Sequence, residues 1–493
     1  MQTVLLIVPV LLPLLFGGLI AVLRSKDRKT AVLLTAAALV LEAGFITALC
    51  CLKEAELFLF SMTEELTVRL RMDGVSRVFL LISAWGFLLA GIFSFRYMDH
   101  EEKEGSYPEK LFYCFYLFSL TALVGMALSD NLITLYLFFE MLTLLSMPLV
   151  LFERTKEATA AALKYLFYSI GGAFLALGSI FVLYAYGGAG SFALGGTLDP
   201  AAAAGHETLL LIMILLGVIG FGAKAGLYPL HAWLPTAHPV APAPASAVLS
   251  GIIAKAGVLA IVRMIFFTAG PELIRGTYVQ YVLLSAALLT VFMGSMMAYR
   301  EKLFKKRLAY SSISQIAYAL FGFFLLNTAG FVGGMLQVVF HAIVKICLFL
   351  TAGSLIYNTE RKSVDEYRGL GRVMPVTFVS FTLASLSLIG IPPFGGFISK
   401  WYLAEGALSS GLPVFDWLGP VILLISALLT AGYLLPLSIA AFFPGKNFDE
   451  KSVKQYSEGG LLMLIPLVTL AALSLIGGLA GEALRRAFEL MLS

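Results

Sequence analysis

Residues 222–244 read GAKAGLYPLHAWLPTAHPVAPAP. The stretch holds Lys224, His231, His238 and five prolines, and it continues an apolar run long enough to cross a bilayer. Pro229, Pro235, Pro239 and Pro242 each remove a backbone donor, so a helix entering this stretch is expected to break there. In lipid a freed backbone group must find a partner in protein or in a water-filled cavity. A chain that places a charge and a broken backbone at membrane depth is therefore expected to enclose a polar interior.

The composition sets lipid as the solvent. The 493 residues are 59% hydrophobic and 13% charged, with a mean hydropathy of +0.91. Soluble domains carry about twice that share of charge. Apolar runs of bilayer length recur throughout, with expected limits 3–23, 31–52, 75–95, 110–129, 131–152, 162–186, 208–230, 245–266, 279–299, 308–326, 332–357, 375–405, 418–443 and 460–481. The expected fold class is an all-α polytopic membrane protein of about 14 transmembrane helices. The first run lacks a basic leader and a cleavage pattern, so it reads as a span. Alternation in LTVRLR, within 53–74, predicts a short extracytoplasmic hairpin.

Cys50, Cys51, Cys114 and Cys347 show no CxxC or Cys/His ligand spacing, so neither a metal site nor an iron–sulfur centre is expected. No Walker A loop or GxGxxG fingerprint is present, and no cofactor is expected. The glycine-rich run GGAGSFALGG at 187–196 reads as a flexible outer loop. The net charge of +4 comes from basic residues in short loops, which suits membrane orientation and not nucleic acid. With both termini extracytoplasmic, 22 lysines and arginines fall in inner loops and 8, Arg263 among them, on the outer side.

Four lysines remain, and all lie inside spans: Lys224, Lys255, Lys345 and Lys400. Each charge at mid-bilayer costs roughly 2.5–3.5 kcal/mol on insertion scales, so together they cost about 10–14 kcal/mol. Glu140 and Glu42 are mid-span carboxyls, and His341 lies four residues before Lys345, on one helical face. Burial weakens a lysine's hold on its proton and a nearby carboxylate restores it, which is the chemistry of a proton pathway. A second break, GIPPFGGFISKWYL, carries Pro392 and Pro393 just before Lys400. Phe-x-x-Lys occurs at both breaks, at Phe221 to Lys224 and Phe397 to Lys400. A displacement of five spans inverts membrane orientation, so the pattern predicts two inverted five-helix repeats with two discontinuous helices. The expected organisation is spans one to three with the hairpin (1–108), a first repeat (109–267), a second, inverted repeat (268–444) and a last span (445–493).

These residues resemble a known family. LYLFFEMLTLLSMPLVL, FGAKAGLYPLHAWLPTAHPVAPAPASAVLSGIIAKAGVLAIVR, RLAYSSISQIAYALFG, FHAIVKICLFLTAGS and GIPPFGGFISKWYL are similar to runs in the antiporter-like subunits of respiratory complex I, Mrp-type cation/proton antiporters and energy-converting membrane hydrogenases. The resemblance implies a proton pathway through Glu140, Lys224, Lys255, His341, Lys345 and Lys400, along a hydrated axis at mid-membrane. It implies other membrane subunits as partners, H+ and in some members Na+ as the ion, and residence in the cytoplasmic membrane of a prokaryote. Glu42 matches no family position, and His231 and His238 are further relay candidates. The short segment after the last run and the lysine at position 400 set the chain apart from the family's largest member and from the member with glutamate there. An Mrp D-type subunit and a complex-I-like or hydrogenase subunit of the remaining type both stay open.

The reading is an ion-translocating subunit that does no redox chemistry itself. Two alternatives stand beside it: a scaffold subunit with a vestigial polar axis, and a self-sufficient secondary transporter. For Glu140 and Lys224 the structural alternative is a fixed ion pair; for Lys255 and Lys400 it is a neutral amine bonded to carbonyls. For His341 it is a helix–helix hydrogen bond, and for Glu42 a packing or subunit contact.

Overall fold

Helix is the secondary structure that satisfies each backbone donor within its own segment, and it dominates the computed structural model. The structure describes residues 5–22, 28–63, 66–100, 108–446 and 448–492. In chain order come α1 (Val8–Val22), α2 (Arg28–Cys50), β1 (Ala55–Ser61), β2 (Thr67–Met72), α3 (Gly74–Tyr97), α4 (Glu109–Ala127), α5 (Leu132–Val150), α6 (Lys156–Leu183) and α7 (Glu207–Ala225). The short helices α8 (Leu234–Val240) and α9 (Ala243–Val248) follow, then α10 (Lys255–Met264), α11 (Tyr278–Arg300), α12 (Phe304–Phe324) and α13 (Thr328–Thr359). The chain closes with α14 (Pro375–Ile389), α15 (Gly395–Leu408), α16 (Phe415–Phe442), α17 (Leu461–Leu479) and α18 (Gly481–Glu489). Among the described residues, 11 helices are long and apolar enough to cross a membrane, counting 243–269 as one continuous span. The hairpin pairs β1 with β2 antiparallel, so the chain is not purely helical.

Side-chain caps mark several helix starts. Asp73, Asn131, Thr155 and Asn327 each accept a hydrogen bond from the backbone N–H three residues on, which satisfies one of the donors a helix start leaves free. Burial then separates interior from periphery. The span at 243–269 is buried along its whole length, whereas α16 and α17 keep only 33% of their apolar windows inside the protein. The bundle therefore wraps 243–269 and most of α13 in protein, while the later helices face outward.

Close approach around that centre depends on missing side chains. A Cβ at Gly220 would lie 2.4 Å from the Gly172 carbonyl oxygen, so α6 and α7 meet backbone to backbone. A Cβ at Gly396 would lie 1.8 Å from the Ser387 carbonyl oxygen, which holds α15 against α14.

Both breaks open on glycine in the left-handed region: Gly226 at φ 82° after α7, and Gly390 at φ 93° after α14. Pro229, Pro392 and Pro393 lie in the non-helical connections. Three other prolines differ from the expectation. Pro235 starts α8, Pro239 lies inside it, and Pro242 precedes α9 as its N-cap. Pro235 falls in the first turn, where a missing N–H costs nothing, and α8 is too short for Pro239 to do more than end it. The two Phe-x-x-Lys tetrads also differ in place: Lys224 precedes its break, whereas Lys400 follows its own.

Two further expectations are corrected. Arg263 is not in an outer loop; it lies on α10 and is 1% exposed. Its guanidinium donates to both Asp73 carboxylate oxygens at 2.6 and 2.8 Å and to Ser76 Oγ at 3.0 Å, tying 243–269 to the start of α3. The glycine-rich run at 187–196, expected to be a flexible loop, is pinned as well. The π-helical turn Ile265–Ala269 frees its carbonyls, and Ala193, Gly195 and Thr197 donate their backbone N–H groups to Phe267, Phe266 and Thr268. Arg263 reads as a loop charge because it falls near the end of its apolar run, and the residues of this turn are as apolar as their neighbours.

Breaking a buried pair on one side leaves a stranded charge. Arg263→Ala is therefore expected to destabilise the fold by about 3–5 kcal/mol, read as a lower melting temperature in detergent. Replacing both partners with apolar residues should recover most of the loss. An unchanged melting temperature for Arg263→Ala would show that this pair does not hold the two helices.

Candidate functional site

The four lysines seat in four different ways, and none reaches a carboxylate within 4.0 Å among the described residues. Glu140 stands on α5 with Thr143 three residues on, so both share one face. Tyr136, one turn earlier, donates its hydroxyl to Glu140 Oε1 at 3.1 Å. Lys224 sits near the C-terminal end of α7, fully buried, and donates Nζ to Thr143 Oγ1 at 2.5 Å. Its ammonium also lies 4.7 Å from the Phe139 ring centre and 5.6 Å from that of Tyr165. Glu140 and Lys224 are thus each held by a separate hydroxyl, Tyr136 for the carboxylate and Thr143 for the ammonium, and among the described residues they form no fixed ion pair.

Lys255 depends on an irregular turn. The π-helical turn Leu249–Ile253 shifts the hydrogen-bond ladder immediately before it. Lys255 Nζ donates to the carbonyls of Gly251 at 2.5 Å and Ser250 at 3.3 Å. On α13, His341 and Lys345 are both buried on one face. Lys345 Nζ donates to the Leu308 carbonyl at 3.1 Å, across to α12. Neither ring nitrogen of His341 has a hydrogen-bond partner among the described residues.

Lys400 reaches back over its own break. Its Nζ donates to the carbonyls of Leu388 at 2.5 Å and Ile389 at 2.7 Å, the last of α14. A helix C-terminus has free carbonyls and a partial negative charge, so an ammonium there satisfies both. Lys400 Nζ also stands 5.2 Å from the Tyr318 ring centre. Between His341 and Lys400, a small cavity is lined by Gln315, Gln337, His341 and Ser387. Ser399 donates to Gln337 Oε1 at 2.7 Å, and Gln337 donates to Gln315 Oε1 at 2.9 Å. Gln315 Nε2 and Ser387 Oγ lack hydrogen-bond partners among the described residues. Buried polar atoms left open in this way are the usual seats of internal water.

The other candidates separate clearly. His238 is fully buried, its ring centre 4.6 Å from that of Phe349, and among the described residues both its nitrogens lack hydrogen-bond partners. Lys305 and Lys345 are the cations that act on it. His231 is only half-buried and stacks on Tyr228 at 5.5 Å. Glu42 lies on the inward face of α2 with neither carboxyl oxygen hydrogen-bonded among the described residues, and α2 packs against α1, α3 and α4, away from the breaks. Among the described residues no group of three or more His, Cys, Asp or Glu side chains could hold a metal ion.

Sequence reasoning missed Lys305, Thr143 and the Gln315–Gln337 pair. Lys305 reads as one of a loop cluster in EKLFKKRLAY, yet it is 8% exposed and donates to the Ala241 carbonyl between α8 and α9 at 2.7 Å. Its signal was position: it falls within the first turn of α12, directly beside the apolar Phe304. Neutral hydroxyls and amides leave no comparable trace, because they are common on any helix.

Residues 129–430 match the profile of the family described as NADH:quinone oxidoreductase/Mrp antiporter, TM. The chain is 34% identical over 337 residues to an NADH-quinone oxidoreductase subunit N from Desulforudis audaxviator, covering 68% of this chain and 65% of that protein. It is 32% identical over 432 residues to a Na(+)/H(+) antiporter subunit A1 from Staphylococcus haemolyticus, covering 83% of this chain and 52% of that protein. The chain thus spans between half and two thirds of the length of these curated relatives. In three dimensions it superposes on a chain of the Mrp complex from a Dietzia species with a TM-score of 0.83 at 21% identity, covering all of this chain and 97% of that one.

Thr143 is the hydrogen-bond acceptor of Lys224. Thr143→Val should cost about 1.5–3 kcal/mol, the worth of a hydrogen bond to a charged group. The measurement is the melting temperature, with Thr143→Ser restoring it. Equal stability of Val and Thr at this position would show that Lys224 is seated by something else.

Proposed function

The chain belongs to the NADH:quinone oxidoreductase/Mrp antiporter transmembrane family, and we propose that it is a proton-translocating subunit of a multisubunit membrane complex. The carrying observation is that Lys224, Lys255, Lys345 and Lys400 each rest on a neutral oxygen and not on a carboxylate. A lysine held by a hydroxyl or carbonyl gives up its proton without stranding a buried carboxylate. Charge on one member of such a row raises the cost of charge on the next, which passes protons along it.

In this reading Glu140 starts the row, with Tyr136 holding its carboxylate and Thr143 seating Lys224. Lys255 and Lys345 form the middle, where His341 with two open ring nitrogens exchanges protons through water. Lys400 ends the row, served by the Gln315–Gln337–Ser399 chain. His238, flanked by Lys305 and Lys345, is an additional relay, and His231 at the half-buried break a weaker one. The chain crosses the membrane fourteen times, with both termini extracytoplasmic and two inverted five-helix repeats built on α4 to α10 and on α11 to α16. The partners are the other membrane subunits of an Mrp-type or complex-I-like assembly in a prokaryotic cytoplasmic membrane. H+ is the ion moved, with Na+ exchange or a redox partner as the coupled process.

The test uses the assembled complex in vesicles. Lys224→Ala and Glu140→Gln should each abolish ion-coupled ΔpH formation while the complex still purifies intact. Full transport by both variants would overturn the proposal. Loss of assembly with transport unchanged per intact complex would identify a scaffold.

A second prediction comes from the end of the row. Lys400→Arg keeps the charge and the two carbonyl contacts but cannot lose its proton in a protein. It should therefore retain assembly and melting temperature while losing transport roughly as Lys400→Ala does. Normal transport by Lys400→Arg would remove Lys400 from the proton route.

A further inference from the structure

Two openings on the outside of the bundle share one face of α3. The first is a cleft of about 900 Å³ beside the hairpin, lined by Glu54, Arg71 and Arg77 and by apolar residues that include Leu81, Phe488 and Met491. The second is a slot of about 460 Å³ between α3, α13 and α17, lined by Leu81, Trp85, Leu89, Ile343, Ile346 and Leu470. Leu81 lines both. Gly74, Val78, Leu81, Trp85 and Leu89 follow helical spacing, so the cleft runs down into the slot along a single helix face.

The mouth is charged and incompletely bonded. Arg77 donates one nitrogen to the Leu52 carbonyl at 3.0 Å, and Arg71 donates one to the Phe192 carbonyl at 2.9 Å. The Nε of each arginine is buried and has no hydrogen-bond partner among the described residues, so an incoming anion meets the terminal guanidinium nitrogens. Arg71 also lies 3.6 Å from Glu54, 3.5 Å from Glu56 and 3.8 Å from Asp130, contacts too long to be good hydrogen bonds. Asp73, the other carboxylate in the cleft, is taken by Arg263. The mouth thus offers arginine donors for an anion and, in the exposed carboxylate of Glu54, an acceptor for a cation.

Length decides what fills the slot. Arg77 to Leu89 is twelve residues of helix, about 18 Å at 1.5 Å per residue. That is close to one leaflet of a hydrocarbon core roughly 30 Å thick. A neighbouring transmembrane helix would need a groove along the whole core, whereas one acyl chain needs half of it. We propose that this groove binds a phospholipid with a primary-amine headgroup: phosphate on Arg71 and Arg77, ammonium on Glu54, and one acyl chain in the slot against Leu81, Trp85 and Ile343. The chain's end then packs on α13 at Ala342–Ile346, the stretch that follows His341 and includes Lys345. The proposal does not depend on which ion the chain moves.

The experiment uses the assembled complex in nanodiscs and phosphatidylethanolamine with a photoactivatable diazirine midway along one acyl chain. Cross-links mapped by mass spectrometry should fall on 81–89 and 342–346. Arg71→Ala with Arg77→Ala should lower that labelling by roughly a hundredfold, about tenfold for each charge-assisted bond lost. Ile343→Trp, which fills the slot and leaves the mouth intact, should abolish it. Inorganic phosphate in excess should not compete. Equal labelling by a phosphatidylglycerol probe, protection by free phosphate, or undiminished labelling of both variants would overturn the proposal. So would cross-links from the slot to a neighbouring subunit in place of lipid.

Discussion

A backbone carbonyl without a partner at membrane depth and a lysine ammonium at the same depth are each too costly to stand alone, and this fold sets one against the other. The break after α14 leaves Leu388 and Ile389 without intrahelical donors, and Lys400 supplies them. The π-helical turn before Lys255 supplies Ser250 and Gly251 in the same way, and Lys305 meets Ala241 between α8 and α9. Irregular backbone and buried cation are therefore one feature seen from two sides. A regular helix through any of these points would leave the ammonium without its acceptors.

The surrounding packing keeps that arrangement closed to lipid. Gly172 and Gly220 bring α6 against α7, and Gly396 brings α15 against α14, so the breaks are gripped by backbone. On the hairpin side the run at 192–197 hydrogen-bonds to the carbonyls released by the second π-helical turn, and Arg263 anchors the same span to Asp73. The buried lysines are thus surrounded by close-packed helices, and the span that carries Lys255 is tied at Arg263 by hydrogen bonds. Glu42, with neither oxygen bonded, sits outside this scheme in the α1–α4 bundle.

What could be read from the sequence follows from which interactions have a one-dimensional signature. Lys224, Lys255, Lys345 and Lys400 stand out because a charge in an apolar run has no cheap explanation, and the structure buries three of them fully and Lys400 in part. Glycine and proline marked both discontinuities, although Pro239 ended up inside a short helix, since seven residues leave little helix for a proline to interrupt. Arg263 was misplaced because a charge near a span's end looks like a loop residue until its partner, 190 positions away, is known. The π-helical turns left no trace, because their residues are as apolar as any other stretch of 243–269. The acceptors of the lysines are mostly backbone carbonyls, which every residue has.

The complete enclosure of 243–269 bears on how the protein is made. Its wall on one side is α13, which leaves the ribosome more than fifty residues later. Until that helix arrives, Lys255, whose ammonium bonds to its own turn, lacks that wall and faces the translocon or the lipid. Biogenesis then has an obligatory sequence: the centre is inserted first, in an environment that disfavours it, and becomes stable only when later helices are folded around it. Factors that shelter a newly inserted span would act on this segment before any other.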